Sequence, residues 1–278
     1  MNLQNREGGN MTQLKDKNVL ITGGASGIGR QMAFLIAKEG GRIIIWDIDK
    51  EKMKEVEDKI KKAGGVAYSY YCDLSVRKNI YETAEIVKKK QGTVDVLINN
   101  AGIVSGKPFF ELSDELIEKA FAVNTLAHFW TVKAFLPDMI KQNSGHIVTI
   151  SSAGGLIGVN KLSDYCASKF AVFGFDESLR MEFKSRRLNI KTTVVCPYYI
   201  NTGMFEGVKT RFPSILPIMD EKEASRKIVE SIKKNKPRLF MPPIVYTVPL
   251  LRCLPVCVFD WVASFLGINK SMDEFKGK

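Results

Sequence analysis

The sequence has little of what staples or anchors a fold from outside. Five cysteines, Cys72, Cys166, Cys196, Cys253 and Cys257, are scattered over 278 residues without a C-x-x-C pair, and only two histidines accompany them. This pattern implies a reduced, cytoplasmic compartment and no metal site. Long apolar runs are also missing: no uncharged stretch of about 18 residues reads as a spanning helix. The opening MNLQNREGGNMTQLKDK lacks the apolar core of a secretory signal, which excludes export by that route. Nor is there a basic stripe interleaved with aromatics. The 41 Lys+Arg against 30 Asp+Glu give a net charge of +11, but lysines such as those in 50–62, 88–90 and 233–236 fall in stretches of helical periodicity. They read as solvated faces, and nucleic acid is not an expected partner.

What is present is 45% hydrophobic residues, enough for a sizeable core. Short β-branched runs alternate with amphipathic stretches: NVLIT (18–22), RIIIWD (42–47), VAYSYY (66–71), VDVLIN (94–99), HIVTIS (146–151), IKTTVV (190–195) and PRLFM (237–241). Alternation of this kind predicts βαβ units, and strands apolar on both faces predict one doubly wound, Rossmann-type parallel sheet of seven strands in an α/β domain. No linker or repeat divides the chain. The expected organisation is a polar leader over 1–14, a dinucleotide-binding and catalytic domain over 15–241, and an apolar helical extension over 242–278.

Directly after the first run comes Thr22-Gly23-Gly24-Ala25-Ser26-Gly27-Ile28-Gly29, opening the first helix. Glycines at 23 and 27 allow a tight turn and close approach of backbone to a pyrophosphate, and Gly29 allows the helix to lie on the strand. The helix N-terminus adds unpaired N–H groups and partial positive charge. Asp47 ends the second run, eighteen positions after Gly29, near the offset of roughly 20 residues at which a carboxylate meets an adenine-side ribose. A carboxylate there repels a 2′-phosphate, so NAD is favoured over NADP, although Arg30 and Lys50 lie near in sequence. The plainer role for Asp47 is a strand-end turn residue, for which Asp49 is equally suited.

Tyr165-Cys166-Ala167-Ser168-Lys169 stands at the predicted start of a long helix, where residues four apart share a face. A phenol needs its pKa lowered by about three units, roughly 4 kcal/mol, to shuttle protons near neutrality. One ammonium about 4 Å away at an effective dielectric near 20 supplies that amount. Alone, Y-x-x-x-K is a common surface pair. Ser152 at the end of the fifth run and Asn99-Asn100-Ala101-Gly102 at the end of the fourth reach the same sheet edge, where ligands bind in such folds. Asn124, inside the apolar FAVNTLAHFW, needs a partner; its plainer role is a satisfied core amide.

Together TGGASGIG, NNAG, Asn124, Ser152 and YxxxK, in this order and spacing, resemble the short-chain dehydrogenase/reductase superfamily over residues 15–240. The resemblance implies hydride transfer with NAD(P). It casts Tyr165 as acid/base, Lys169 as the ribose contact that depresses the tyrosine pKa, Ser152 as the group orienting the substrate oxygen, and Asn124 as the holder of a relay water. It also implies cofactor contacts at Gly23, Ser26, Gly27, Ile28, Gly29, Asp47, Asp73, Leu74, Asn100, Ala101, Gly102, Tyr165, Lys169, Pro197 and Thr202, and a homodimer or homotetramer built through the helices around Asn124 and Tyr165. One departure is Cys196-Pro197-Tyr198, where the family carries Pro-Gly; Tyr198 lacks the conformational freedom of glycine.

More narrowly, WDID, AHFWTVKAFLP, CPYYINTGMFEG and LGINKSMDEF resemble the branch of that superfamily that handles retinoids and steroids at lipid surfaces, whose members carry an apolar N-terminal anchor where this chain has a polar leader. The substrate expected is a small lipophilic alcohol or ketone, retinoid first and steroid second. Alternatives are an NADPH-dependent 3-oxoacyl-thioester reductase and, from another class, a non-catalytic nucleotide-binding scaffold, which would be expected to lose Tyr165 or Lys169. An apolar lid is expected from Met204, Phe205, Val208, Phe212, Ile215, Leu216, Ile218 and Met219. In 242–278, Leu250, Leu251, Leu254, Val258, Trp261, Val262 and Phe265 recur at three- and four-residue spacings. They predict one apolar helical stripe that covers the cleft, meets another subunit, or lies at a membrane or lipid-droplet surface.

Overall fold

The computed structural model describes residues 11–277. Residues 1–10 of the expected leader lie outside them. Within the remainder, Leu14 is buried and Thr12 N donates to Lys233 O, so residues 11–14 lie against the body.

Among the described residues, seven strands form one parallel sheet in the order β3-β2-β1-β4-β5-β6-β7. The strands are β1 Asn18–Thr22, β2 Arg42–Asp47, β3 Val66–Tyr71, β4 Val96–Asn99, β5 Gly145–Ile150, β6 Ile190–Pro197 and β7 Arg238–Met241. Between them run α1 Gly27–Lys38, α2 Lys50–Lys62, α3 Arg77–Gln91, α4 Asp114–Phe121, α5 Ala127–Lys141, α6 Ser163–Ser185 and α7 Glu221–Lys233. After β7 follow two short helices, α8 Val248–Leu251 and α9 Val256–Phe265.

Strand alternation sends side chains to two cores. Val19, Ile21, Ile43 and Ile45 pack with Met32 and Ile36 of α1, Val56 and Ile60 of α2, and Ile228 and Ile232 of α7. Leu20, Ile44, Leu97 and Ile147 pack on the other face with Ile80 and Val87 of α3, Val132 and Phe135 of α5, and Leu179 and Phe183 of α6. Each fully buried aliphatic side chain contributes roughly 1.5–3 kcal/mol. These two covered faces explain why the strands read as continuous apolar runs.

The predicted strand positions agree with the sheet to within two residues. Just before β4, Asp95 still bonds to both neighbours, its N donating to Asn18 O and its O accepting from His146 N, while its carboxylate accepts from Asn18 N at 3.0 Å and from Lys17 Nζ at 3.0 Å. β1 pairs with β2 on one side and β4 on the other, so strand order reverses there and a crevice opens at the carboxyl ends.

Candidate active site

A cavity of about 530 Å³ occupies this crevice and runs from Asp47 and Asp73 at one end, past Tyr165, to α8 and α9 at the other. Its first wall is the Gly-rich turn. Gly23 sits at φ +64°, and a Cβ there would lie 2.9 Å from Ala101 Cα, while a Cβ on Gly29 would lie 2.2 Å from Gly23 O. Only glycine permits turn, loop and helix to approach this closely. Ser26 is the N-cap of α1 but its hydroxyl makes no capping bond, and the first turn holds no acid. The first N–H groups of α1 therefore remain an uncompensated positive end facing the cavity.

Asp47 braces this turn. One carboxylate oxygen accepts from Ala25 N at 3.0 Å, and the other from Ile48 N at 2.8 Å and Asp49 N at 3.1 Å. Asp47 thus fills the strand-end turn role, while Asp49 caps α2 by accepting from Lys52 N. Thr22 joins the turn to the loop after β4: its hydroxyl oxygen accepts from Asn100 N and Ala101 N, while Asn100 Nδ2 donates to Thr22 O and Gly23 O. Thr22 was legible only as a letter in the motif, because its partners lie 78 and 79 residues away. Asp73, whose carboxylate accepts from the Ser75 amide and hydroxyl, and Leu74 line the far end.

The second set of predicted residues converges as well. Tyr165 and Lys169 are buried on α6, with Lys169 Nζ 5.8 Å from the tyrosine ring centroid. Lys169 Nζ donates to Ile150 O at 2.9 Å, while Ser151, a residue the sequence did not single out, donates its hydroxyl to Lys169 O. The Ser152 hydroxyl accepts from Gly154 N at 3.0 Å. Asn124 lies in a π-helical turn, Ala122–Leu126, between α4 and α5. Such bulges gather at functional sites. Its Oδ1 accepts from Ile103 N at 2.8 Å, and its Nδ2 donates to Ile103 O and to Ser168 Oγ. Asn124 is thus a satisfied amide that ties the β4 loop to α6. Thr202 lies across from Gly27, and Pro197 and Thr202 both line the cavity. Tyr198, at the family's glycine position, does not adopt positive φ; its amide donates to Met241 O at 2.7 Å and its ring packs edge-on to Tyr199.

Burial drives the Tyr165 phenol above its ordinary value, with the Ser152 hydroxyl opposing this, and burial draws Lys169 down to about 8. The ammonium is engaged with Ile150 O, and desolvation is the leading cause of both shifts in the protein alone.

The rest of the wall is apolar. Met204, Phe205 and Leu216 of the segment after β6 face the cavity. Val208 and Met219 are buried instead, and Ile215 and Ile218 face outward. Phe212 packs at a tilt against Phe265. The single C-terminal stripe is corrected: the chain breaks between α8 and α9 at Pro255, and residues expected on one face divide between two. Leu251 and Val262 line the cavity together with Phe259, Ala263 and Leu266, whereas Leu250 and Trp261 are 74% and 67% exposed and Leu254, Val258 and Phe265 also reach the surface.

Comparison with known proteins bears on this arrangement. Residues 17–211 match the family model for short chain dehydrogenase. The chain is 50% identical to human epidermal retinol dehydrogenase 2 over 260 residues, 92% of this chain and 84% of that protein. The chain is a short-chain dehydrogenase. This dehydrogenase is also 44% identical to the bovine short-chain dehydrogenase/reductase family 16C member 6 (92% and 82% covered) and 38% identical to retinol dehydrogenase 10 of Xenopus tropicalis (94% and 86% covered). Among solved structures, it matches a short-chain dehydrogenase/reductase from Burkholderia phymatum in complex with NAD, at TM-score 0.79 and 25% identity, covering 87% of this chain and 95% of that one. A metagenomic short-chain oxidoreductase in complex with NADP matches at TM-score 0.69 and 27% identity, covering 83% and 97%.

The dehydrogenase is therefore an oxidoreductase acting on CH–OH groups with NAD or NADP. Its residues fit such a dinucleotide: the uncapped α1 N-terminus and glycine turn suit a pyrophosphate, and the polar end at Asp47 and Asp73 suits a ribose and base. No helix among the described residues is long and apolar enough to cross a membrane.

Proposed function

We propose that the dehydrogenase interconverts a lipophilic alcohol, a retinoid before a steroid, and its carbonyl compound, with NAD as the preferred cofactor. The observation that carries this reading is the apolar cavity closing on Tyr165. Relatives at 38–50% identity named retinol dehydrogenases add to it. A bound NAD would supply the hydride acceptor for the alcohol carbon. Tyr165 Oη takes the hydroxyl proton, Ser152 holds the substrate oxygen, and the charge of Lys169 favours the phenolate. Asn124 acts by position, holding the Ile103 backbone and Ser168 so that loop and helix stay in register. Gly23, Ser26, Gly27, Ile28 and Gly29 receive the pyrophosphate. Asp47, Asp73 and Leu74 receive the adenosine, and Asn100, Ala101, Gly102, Pro197 and Thr202 flank the nicotinamide side.

Preference for NAD is supported by where the nearby cations point. Arg30 pairs with Glu221 at 3.3 Å and Lys50 lies over the Tyr71 ring at 4.8 Å, so each cation near Asp47 in sequence has a partner of its own. The outward row of Leu250, Leu254, Trp261 and Phe265 on a basic chain supports peripheral contact of 242–278 with an anionic membrane or lipid-droplet surface at its cytoplasmic side. A homodimer or homotetramer through α5 and α6 belongs to the same proposal.

The test is a panel of all-trans-retinol, estradiol, long-chain alcohols and acetoacetyl thioester with NAD(H) and NADP(H). Retinol turnover with NAD at the highest kcat/KM supports the proposal. Best turnover of the thioester with NADPH overturns it in favour of a 3-oxoacyl-thioester reductase. Flotation with anionic liposomes at low salt, lost on deleting 242–278, is the outcome that the surface contact requires.

A further inference from the structure

Beyond the cavity wall itself, which ends at Ile268, residues 269–276 form a second layer behind it. We propose that this segment is a clasp and that Phe275 and Ser271 are positioning residues for the substrate, acting through Phe205 and Tyr199. The proposal rests on the reading of Tyr165 as acid/base.

Phe205 stands edge-on to Tyr165, with ring centroids 5.6 Å apart at 84°, and also packs on Tyr199 at 5.0 Å. It is the aromatic surface beside the reacting phenol. Behind it, Phe275 lies 6.5 Å away, outside the cavity. Tyr199 is fixed from the same side. The Ser271 hydroxyl donates to Ile268 O, so its oxygen receives the Tyr199 hydroxyl, at 2.9 Å in a buried contact. Met272, 1% exposed, packs in the same cluster as Tyr165 and Tyr199.

The segment is tied to facing parts of the site. Lys209 N donates to Ser271 O, Lys276 N donates to Glu206 O, and Lys209 Nζ pairs with Glu274 at 2.6 Å, all on the lid. Lys161, before α6, lies 3.8 Å from Asp273. Two glycines leave room for it. A Cβ on Gly106, in the loop after β4, would lie 1.9 Å from the Phe275 ring, and a Cβ on Gly207 of the lid would lie 2.1 Å from Glu274 O; both glycines have positive φ. Backbone at these two points is shaped to receive this segment, which bridges the lid and the β4 loop across the mouth of the site. Loss of the Phe275 ring frees Phe205 to leave Tyr165, so a bound alcohol loses the wall that holds it over the phenol.

The test uses the full chain and its variants Phe275→Ala, Ser271→Ala and Phe275→Tyr, with retinol and NAD. The measurements are steady-state kinetics, NADH affinity by fluorescence titration, and retinol affinity of the NADH complex by energy transfer from tryptophan. Phe275→Ala is expected to raise KM and the retinol dissociation constant at least fivefold, Ser271→Ala at least twofold, with NADH affinity and the circular dichroism melt unchanged. Phe275→Tyr, which keeps the ring, is expected to stay within twofold of the parent. Unchanged retinol affinity in both Phe275→Ala and Ser271→Ala overturns the clasp. So does equal weakening of NADH and retinol, which marks general loosening. Failure of the acid/base reading looks different: Tyr165→Phe then keeps turnover, while the binding measurements still decide the clasp.

Discussion

Along one cavity, the wall under β1 and β2 is made largely of backbone, and the wall under α8 and α9 almost wholly of side chains. In the first, carbonyls and amides of Thr22, Gly23, Ala25 and Asn100 are held by hydrogen bonds of 2.9–3.1 Å, and glycines let them come close. In the second, Leu251, Phe259 and Val262 offer surface with no polar anchor. A backbone wall recognises what is common to every turnover, the dinucleotide. A side-chain wall is free to vary in shape and selects what changes from enzyme to enzyme. Tyr165 stands at the seam.

The sharpest way to break this comparison is to remove the seam's reacting oxygen. Tyr165→Phe is expected to lower kcat by roughly a thousandfold, within the usual range for loss of a general acid/base, while dinucleotide affinity measured by fluorescence stays at the parent value. A parent-like kcat would mean that the two walls do not meet at this phenol.

Next come two neighbours on α9 that face opposite ways. Val262→Trp fills the side-chain wall and should cost roughly tenfold or more in kcat/KM for retinol, with NADH affinity intact. Trp261→Ala, on the exposed face, should leave kcat/KM in lipid-free buffer within about twofold of the parent, as for surface substitutions generally. Equal effects of the two would erase the distinction between the faces.

On the backbone wall, Asp47→Asn keeps an acceptor for Ala25 N and removes the charge. The ratio of kcat/KM for NAD over NADP should fall by roughly tenfold, the equivalent of about 1.4 kcal/mol of repulsion. A parent that already favours NADP would contradict the assignment.

The smallest effect lies in neither wall. Asp176 of α6 is 1% exposed, and burial pushes its carboxyl up from 3.8 to about 7, with Thr149, Thr192 and Arg180 opposing. Between about 4 and 7 the folded protein keeps a proton that the unfolded chain has lost, so this group's contribution to stability falls as pH rises through that window. Asp176→Asn does not titrate. Its melting temperature should therefore gain on the parent between pH 5 and pH 8, at roughly 2–4 °C per kcal/mol for a chain of this size. A constant difference across that range would show that the carboxyl is already ionised in the fold.

The cofactor wall was legible because its determinants are local. A glycine three residues from another, or an acid at a strand end, constrains the same few ångströms of chain in which it stands. Tyr165, Lys169 and Ser152 were legible as a set for a similar reason, since one helix turn and one strand end bring them to a known edge. The C-terminal stripe misled because spacing cannot tell which of two apolar faces is covered. Residues at 250, 251, 261 and 262 are alike in hydrophobicity, and only the place where α9 meets the cavity separates Val262 from Trp261.

The sequence by itself determined the order of strands and helices, the two apolar sheet faces, the turn that opens α1 and the residue types at the reacting centre. All of these depend on periodicity or on neighbours within a few positions. Tertiary structure alone decided that Thr22 would knit the turn to the loop after β4, that Asn124 would spend its amide on Ile103 and Ser168, and that Ser271 and Phe275 would stand behind Tyr199 and Phe205. It also decided the electrostatics of the site: the charge on Lys169 is costly because the fold takes it out of water, and no pattern of neighbours along the chain measures that loss.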